Sequence, residues 1–155
     1  MAKPEVSDLL RDGRVVRVTP DLVAAWERVA DAKIHLASSD KLAKSDPELA
    51  YVALYDAARK AITAHMQANG YRATNRPGAH QAVGLYAEAT VATPANVAHI
   101  KAFDRMRQVR NRSEYDDQPV SELVLSTDRH HAQEIVAAVE AALPRPPPAA
   151  DPIAP

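Results

Sequence analysis

The sequence has no cysteine and very few glycine or bulky aromatic residues. Four of its 155 residues are glycine, one is phenylalanine and one is tryptophan. The lack of cysteine excludes a disulfide scaffold and any zinc site built from thiolates. No apolar run approaches the roughly 18 residues that a membrane-spanning helix needs, and the N-terminus lacks an apolar signal core. We therefore expect a cytoplasmic protein that does not enter a membrane.

A surplus of charge of one sign is also missing. The formal net charge is -1 and the pI is near 6.6. A protein that attracts nucleic acid through its overall charge is strongly basic, so any contact with RNA or DNA must come from a local patch. Apolar residues make up 46% of the chain. Alanine dominates them, which favours closely packed helices.

The spacing of apolar residues predicts an all-α fold, an antiparallel up-and-down bundle of about five helices. Thr19 is the expected N-cap of the first helix, which runs to about Lys44. The second helix is expected from about Pro47 to Asn69, where Gly70 stops it.

Three further helices complete the predicted bundle. The third is short and covers about Ala79–Thr90. The fourth begins at Thr93 and ends in an arginine-rich stretch ahead of Pro119. Either Ser121 or Ser126 caps the fifth.

Two segments flank the predicted bundle, which spans residues 19–143. Residues 1–18 form a lead-in, with one helical turn before Gly13 and an extended piece after it. No partner strand is visible for that piece, so we expect it to pack along the helices. Residues 144–155 contain six prolines and are expected to be a disordered tail with polyproline II character.

The end of the fourth predicted helix carries four arginines within eight residues, followed at once by acidic residues and a tyrosine. At 100° per residue, Arg107, Arg110 and Glu114 share one face, while Asn111 and Tyr115 share the neighbouring stripe. A solvated helix end held by ion pairs has this composition, and so does a site for phosphate.

Polar and aromatic residues recur in three blocks along the chain. The blocks are Ala50-Tyr51 with Leu54-Tyr55-Asp56-Ala57-Ala58-Arg59-Lys60-Ala61, then Gly70-Tyr71-Arg72 with Gly78-Ala79-His80, then Arg107 with Arg110-Asn111-Arg112 and Glu114-Tyr115. Over residues 20–143 this pattern resembles the HEPN domain family. The resemblance implies a helical bundle, usually dimeric. Many such domains are metal-independent ribonucleases of toxin–antitoxin, CRISPR-associated or abortive-infection systems.

The nuclease members carry an arginine, four to six intervening residues and a histidine, often opening as Arg-Asn. Arg110 and Asn111 match that opening, but Tyr115 stands where the histidine is expected. Cleavage without a metal needs a base for the 2′-hydroxyl and a cation for the developing charge. Arg110 can be the cation, but a phenol of pKa about 10 is a poor base at pH 7. Two hypotheses follow: an RNA- or nucleotide-binding protein that does not cleave, or an endoribonuclease whose base is another group.

The predicted site has three groups of residues. The catalytic group is Arg110, Asn111, Glu114 and Tyr115; the phosphate-binding group is Arg107, Arg112 and His80; the supporting group is Asp56 and Arg59. Glu114 is either an ion-pair partner of Arg110 or a replacement base, and His80 is either a surface histidine or part of the site. Asp56 either joins a solvated cluster with Arg59 or reaches across the bundle to hold Arg107 or Arg110.

The remaining predictions concern metals and partners. The six histidines show no metal-ligand spacing, so we predict no metal and no cofactor. His130 and His131 form an exposed pair or face the arginine-rich end. The resemblance implies a homodimer that brings two arginine stretches together, and a nucleotidyltransferase-type antitoxin as partner. Tyr115 is the candidate for nucleotidylation, although the position modified in relatives aligns with Asp117.

Overall fold

The computed structural model describes residues 3–115 and 118–146, and these fold into a helical bundle with one small two-stranded sheet. In chain order the elements are α1 (Val6–Arg11), β1 (Val15–Arg17), α2 (Leu22–Leu42), α3 (Pro47–Ala68), β2 (Tyr71–Ala73), α4 (Ala79–Thr90), α5 (Val97–Tyr115) and α6 (Glu122–Ala142). The prediction of an all-α bundle is confirmed, since α2 to α6 correspond to the five expected helices. No helix of the described residues is long and apolar enough to cross a membrane.

Side-chain caps decide where the long helices begin. The predicted cap at Thr19 is wrong: α2 is capped by Asp21, whose carboxylate accepts a hydrogen bond from the backbone N–H of Ala24 at 3.0 Å. The chain before this point stays hydrogen-bonded to the end of α3, so the helix cannot start earlier. Ser121, not Ser126, caps α6. The start of α5 also lies later than expected, at Val97.

The extended segment near the N-terminus has a partner strand, so the expectation that it lacks one is wrong. β1 pairs antiparallel with β2, with Val15 opposite Ala73 and Arg17 opposite Tyr71. The partner is only three residues long, too short for a visible alternation of apolar and polar residues. Gly70 precedes it with φ of +82°, and a Cβ there would lie 2.8 Å from a backbone oxygen.

The core is organised around α3, which packs against α2, α4, α5 and α6. Six alanines of this helix are buried: Ala50, Ala53, Ala57, Ala58, Ala61 and Ala64. Their small side chains let the neighbouring helices approach closely. Leu9 and Val15, from the lead-in segment, are each 1% exposed and belong to the same core. The alanine-rich composition therefore shapes a dense bundle whose surface features are set by the longer residues between the alanines.

Candidate functional site

A groove of about 510 Å³ opens between α3, the start of α4 and the second half of α5. Its lining is formed by Tyr55, Asp56, Arg59, His80, Arg107, Arg110 and Asn111. Six of the nine residues that the sequence analysis selected therefore meet in one place. They come from three segments that are far apart in the chain, and the bundle brings them together.

Helical periodicity explains which residues of α5 enter the groove. Residues three and four apart lie on the same face of a helix, so Arg107, Arg110 and Asn111 point to one side together. All three are half-buried. On α3, Asp56 and Arg59 are spaced in the same way and face them. The groove is thus lined by guanidinium and amide groups that are positioned by two packed helices rather than by a mobile loop.

Arg110 lies over an aromatic stack that belongs to the core. Its guanidinium carbon is 5.9 Å from the ring centroid of Tyr55. Tyr55 in turn stacks on Phe103, with centroids 5.3 Å apart and an interplanar angle of 12°. A cation above an aromatic face is attracted by the negative charge density of the ring. The contact with this buried stack fixes the position of the Arg110 guanidinium in the groove.

The phenol of Tyr55 stays protonated in this environment. Burial raises its pKa above the ordinary value of 10.0, although Arg59, Arg107 and Arg110 act in the opposite direction. A phenol in that state donates a hydrogen bond and does not act as a base near neutral pH. Tyr55 therefore serves the groove as a support and as a neutral polar group.

Two aspartates neutralise part of the positive charge. Arg107 donates from Nε to Oδ1 of Asp104, one turn earlier on the same helix, at 3.0 Å. Asp56 pairs with Arg59 at 3.6 Å on α3. Among the described contacts, then, Asp56 takes part in the charge cluster with Arg59, and the acid that holds Arg107 is Asp104, which the sequence analysis did not select. Both pairs are partly exposed and remain open to a ligand on the other side.

His80 reaches the groove from the first turn of α4. Gly78 immediately before the helix has φ of +85°, a left-handed conformation that turns the chain toward α5. The imidazole is exposed and lines the same groove as Arg110 and Asn111. It is the only histidine among the described residues that line the groove.

The other selected residues lie elsewhere or cannot be described. Arg112 is exposed and lines a shallow depression beside Val109 and Pro119, away from the groove. Glu114 and Tyr115 end α5, and their side chains lie outside the described residues, as do Asp116 and Asp117. The tail is described only to residue 146, so its predicted disorder lies mostly outside the structure.

Sequence reasoning missed a buried polar network on the opposite side of α5. Asp128 of α6 is fully buried and accepts a hydrogen bond from the hydroxyl of Tyr51 at 2.7 Å. Arg105 donates from Nη2 to the same carboxylate at 2.6 Å. Burial, followed by the hydrogen bond to Asp128, holds the pKa of Tyr51 far above its usual range. The signal was present in the sequence, because Asp128 occupies a position in the apolar stripe between Leu125 and Ala132.

Three histidines gather beside this network and not in the groove. Nδ1 of His99 lies 2.9 Å from Nδ1 of His131, and the ring of His130 is 5.4 Å from that of His99. His130 and His131 therefore belong to the contact between α5 and α6. Within residues 3–115 and 118–146, no group of three or more histidine or acidic side chains is arranged to hold a metal ion.

Comparison with known proteins adds no family name. No protein-family model, no curated protein and no solved structure was found to match this chain. Any functional conclusion therefore depends on the geometry of the groove.

Proposed function

We propose that this chain is an HEPN-like bundle that binds RNA through its phosphate groups without cleaving it. The observation that supports the proposal is the convergence of Arg59, Arg107 and Arg110 on one groove with Asn111 and His80. Guanidinium groups stay charged and donate paired hydrogen bonds to phosphate oxygens, and an amide adds a neutral donor. The groove offers this combination on rigid helices.

The local charge supports an anionic ligand even though the protein as a whole does not. Among the described residues, three arginines line the groove and two aspartates, Asp56 and Asp104, pair with them, a local surplus of one positive charge, whereas the entire chain has a formal net charge of -1. Charges farther apart than about 8 Å are largely screened at physiological salt. A phosphate in the groove therefore experiences the local surplus.

Direct binding tests the proposal. A fluorescein-labelled single-stranded RNA should bind the wild-type protein, and Arg110→Gln should weaken binding about tenfold or more, because it removes one charged donor to phosphate. Arg129→Gln is the matched control, since Arg129 pairs with Asp40 on the far side of the bundle. Fluorescence anisotropy at fixed salt measures both. Equal affinities for the two variants would refute the groove as the binding site.

One observation favours cleavage as a second candidate. His80 lines the same groove as Arg110 and Asn111, so the imidazole that the resemblance expects at position 115 can come from α4. Such a histidine would take the proton of the 2′-hydroxyl while Arg110 neutralises the charge that develops on the phosphoryl oxygens. The 2′-oxygen would form a bond to phosphorus as the bond to the 5′-oxygen breaks, the 5′-oxygen would take up a proton from the histidine, and a 2′,3′-cyclic phosphate would remain.

Incubation with RNA in the presence of EDTA separates the two candidates. If the protein cleaves, wild type should produce fragments with cyclic phosphate ends, and both His80→Gln and Arg110→Gln should stop their formation. If wild type binds RNA and leaves it intact after prolonged incubation, the non-cleaving function stands. Mass spectrometry of the fragments identifies the ends.

The partners suggested by the resemblance remain part of the proposal. Two copies of the chain would place two grooves in one particle and raise the number of phosphates contacted. Light scattering coupled to size exclusion, at micromolar concentration, should then give twice the mass of one chain. A nucleotidyltransferase-type antitoxin acting on Tyr115 would add a nucleotide to that residue, which mass spectrometry after co-expression would detect.

A further inference from the structure

A second pocket adjoins the groove at Arg59. It encloses about 440 Å³, and its polar lining includes Arg28, Arg59, Thr63, Gln67 and Arg72. Arg59 lines both the groove and this pocket. The two depressions therefore share one wall and follow each other along α3.

The spacing of residues on α3 connects the groove and the second pocket into one continuous surface. Tyr55, Arg59, Thr63 and Gln67 occur at four-residue intervals, so each lies next to the one before it in a row that winds gradually around the helix. With a rise of about 1.5 Å per residue, these four positions cover about 18 Å. A mononucleotide is too short for a path of this length, whereas an extended oligonucleotide can follow it.

Arginines outnumber acidic residues along this path. Arg28, Arg59 and Arg72 face the pocket, and its one acidic residue, Asp21, already caps α2. Arg28 donates to the hydroxyl of Thr63 at 3.2 Å, which holds its guanidinium against α3. Arg72 is held by the pairing of β1 with β2, where it lies opposite Val16. The arginines of the pocket are therefore placed by tertiary structure, as those of the groove are.

A buried hydrogen-bond acceptor in the pocket indicates which group the ligand carries besides its phosphate. Oε1 of Gln67 is buried and, within the described residues, has no hydrogen-bond partner. Buried polar atoms without a partner are uncommon, and each needs an explanation. A phosphate group at neutral pH has no strong donor to offer this oxygen. A ribose hydroxyl or a base amino group does, and it would reach this oxygen when the Gln67 side chain turns toward the pocket that it lines, so a nucleotide fits the pocket better than a free phosphate.

We propose that the groove and this pocket form one trough for a single-stranded RNA of several nucleotides. Arg107 and Arg110 bind phosphate at one end, Arg59 binds in the middle, and Arg28 and Arg72 bind at the other end. The inference depends on the proposed function, because it extends the same RNA site along α3. It adds a second subsite and a minimum length for the ligand.

A length series tests the trough. Fluorescein-labelled oligouridylates of two and of eight nucleotides are titrated into wild type, Arg110→Gln and the double variant Arg28→Gln/Arg72→Gln. Arg28 and Arg72 are exposed, so the double variant should fold, and circular dichroism checks this. Gln67→Leu, which changes no charge, tests the acceptor separately. Arg129→Gln again serves as the control for a lost positive charge.

The expected pattern differs between the two lengths. The octamer should bind wild type at least tenfold more tightly than the dimer, and the double variant should lose that gain. For single strands, each lost phosphate contact lowers the salt slope by about 0.7, so the double variant should lose about 1.4. Gln67→Leu should weaken octamer binding by about threefold, the effect of one lost neutral hydrogen bond.

The outcomes separate this inference from the function that it extends. If dimer and octamer bind equally well, or if the double variant binds the octamer like wild type, the trough is refuted. The proposed function stands in that case, provided that Arg110→Gln still weakens binding of the dimer. If no oligonucleotide binds wild type, the proposed function fails, and the trough fails with it.

Discussion

On the side of α5 that faces α6, Arg105 gives both terminal nitrogens to a fully buried carboxylate, Asp128. On the side that faces α3 and α4, Arg107 and Arg110 line an open groove instead. All three belong to the four arginines that the sequence places within eight residues, although only Arg107 and Arg110 were predicted as site residues. Three-dimensional packing divides them into one residue paired with a buried acid and two residues that line the groove.

The comparison shows that an arginine's function depends on what faces it. Asp128 has no access to water, so its charge must be balanced inside the protein by Arg105 and the hydroxyl of Tyr51. The groove contains no fully buried acid among its described lining residues. Variants on the two sides should therefore separate stability from binding.

The largest expected effect is on the α6 side. Asp128→Ala removes the shared acceptor and leaves the buried hydroxyl of Tyr51 without its partner, so the free energy of unfolding should fall by about 3 kcal/mol. Urea unfolding followed by circular dichroism measures it. Asp104→Ala, which breaks the partly exposed pair with Arg107, should cost less than about 1 kcal/mol. Equal losses for the two variants would contradict the contrast between the faces.

The second prediction compares one arginine from each side of α5 by two measurements, the free energy of unfolding and the affinity for RNA. Arg105→Gln should lower the free energy of unfolding by about 2 kcal/mol, because the fully buried Asp128 loses its cation and keeps the hydroxyl of Tyr51. Its affinity for RNA should stay within twofold of wild type. Arg110→Gln should weaken RNA binding about tenfold, and the loss of its contact with the Tyr55 ring should lower the free energy of unfolding by about 0.5–1 kcal/mol. An RNA-binding defect in Arg105→Gln would show that the two faces are not separate.

The third prediction concerns pH. Partial burial lowers the pKa of His131, beside the Asp128 network, below 6.5, and burial does the same to His65 under α4. The unfolded chain then takes up protons first as the pH falls. The free energy of unfolding should stay at its full value above pH 6.5. It should decrease as the pH falls from 6.5 toward the lower pKa of the folded state. Urea midpoints between pH 7.5 and 5 should show this, with a shallower decrease in His131→Gln and in His65→Gln.

The smallest effect is expected at Arg112. The sequence analysis assigned it to phosphate binding, but it is exposed and lies outside the groove. Arg112→Gln should change RNA affinity by less than twofold and stability by less than about 0.5 kcal/mol. Anisotropy titrations beside Arg110→Gln provide the comparison. A loss equal to that of Arg110→Gln would extend the binding surface around α5.

The helices and most of the groove could be predicted because their signals are local. Apolar periodicity and Pro or Gly at helix ends marked the five long helices, and α4 has the predicted bounds. The angular spacing placed Arg107 and Arg110 on one face of α5 and Asn111 on the neighbouring stripe, and all three residues line the groove. Such patterns depend only on the geometry of a single helix, which the sequence specifies directly.

The parts that could not be predicted depend on contacts between distant segments. The pairing of β1 with β2 depends on two three-residue strands that carry no alternation signal. The partner of Arg105 lies on another helix, and no spacing along α5 distinguishes it from Arg107. Only the acidic residue in the apolar stripe of α6, Asp128, could have suggested a buried ion pair on that side.

The small sheet has a practical consequence for anyone who shortens the chain. Composition suggests a domain that starts at residue 19, yet a protein begun there would lose the strand that covers residues 71–73. It would also lose Leu9 and Val15 from the interior. The smallest unit that can be expressed intact therefore includes α1. A bulky tag fused close to β1 would lie near Arg72 and could obstruct one end of the surface that the arginines create.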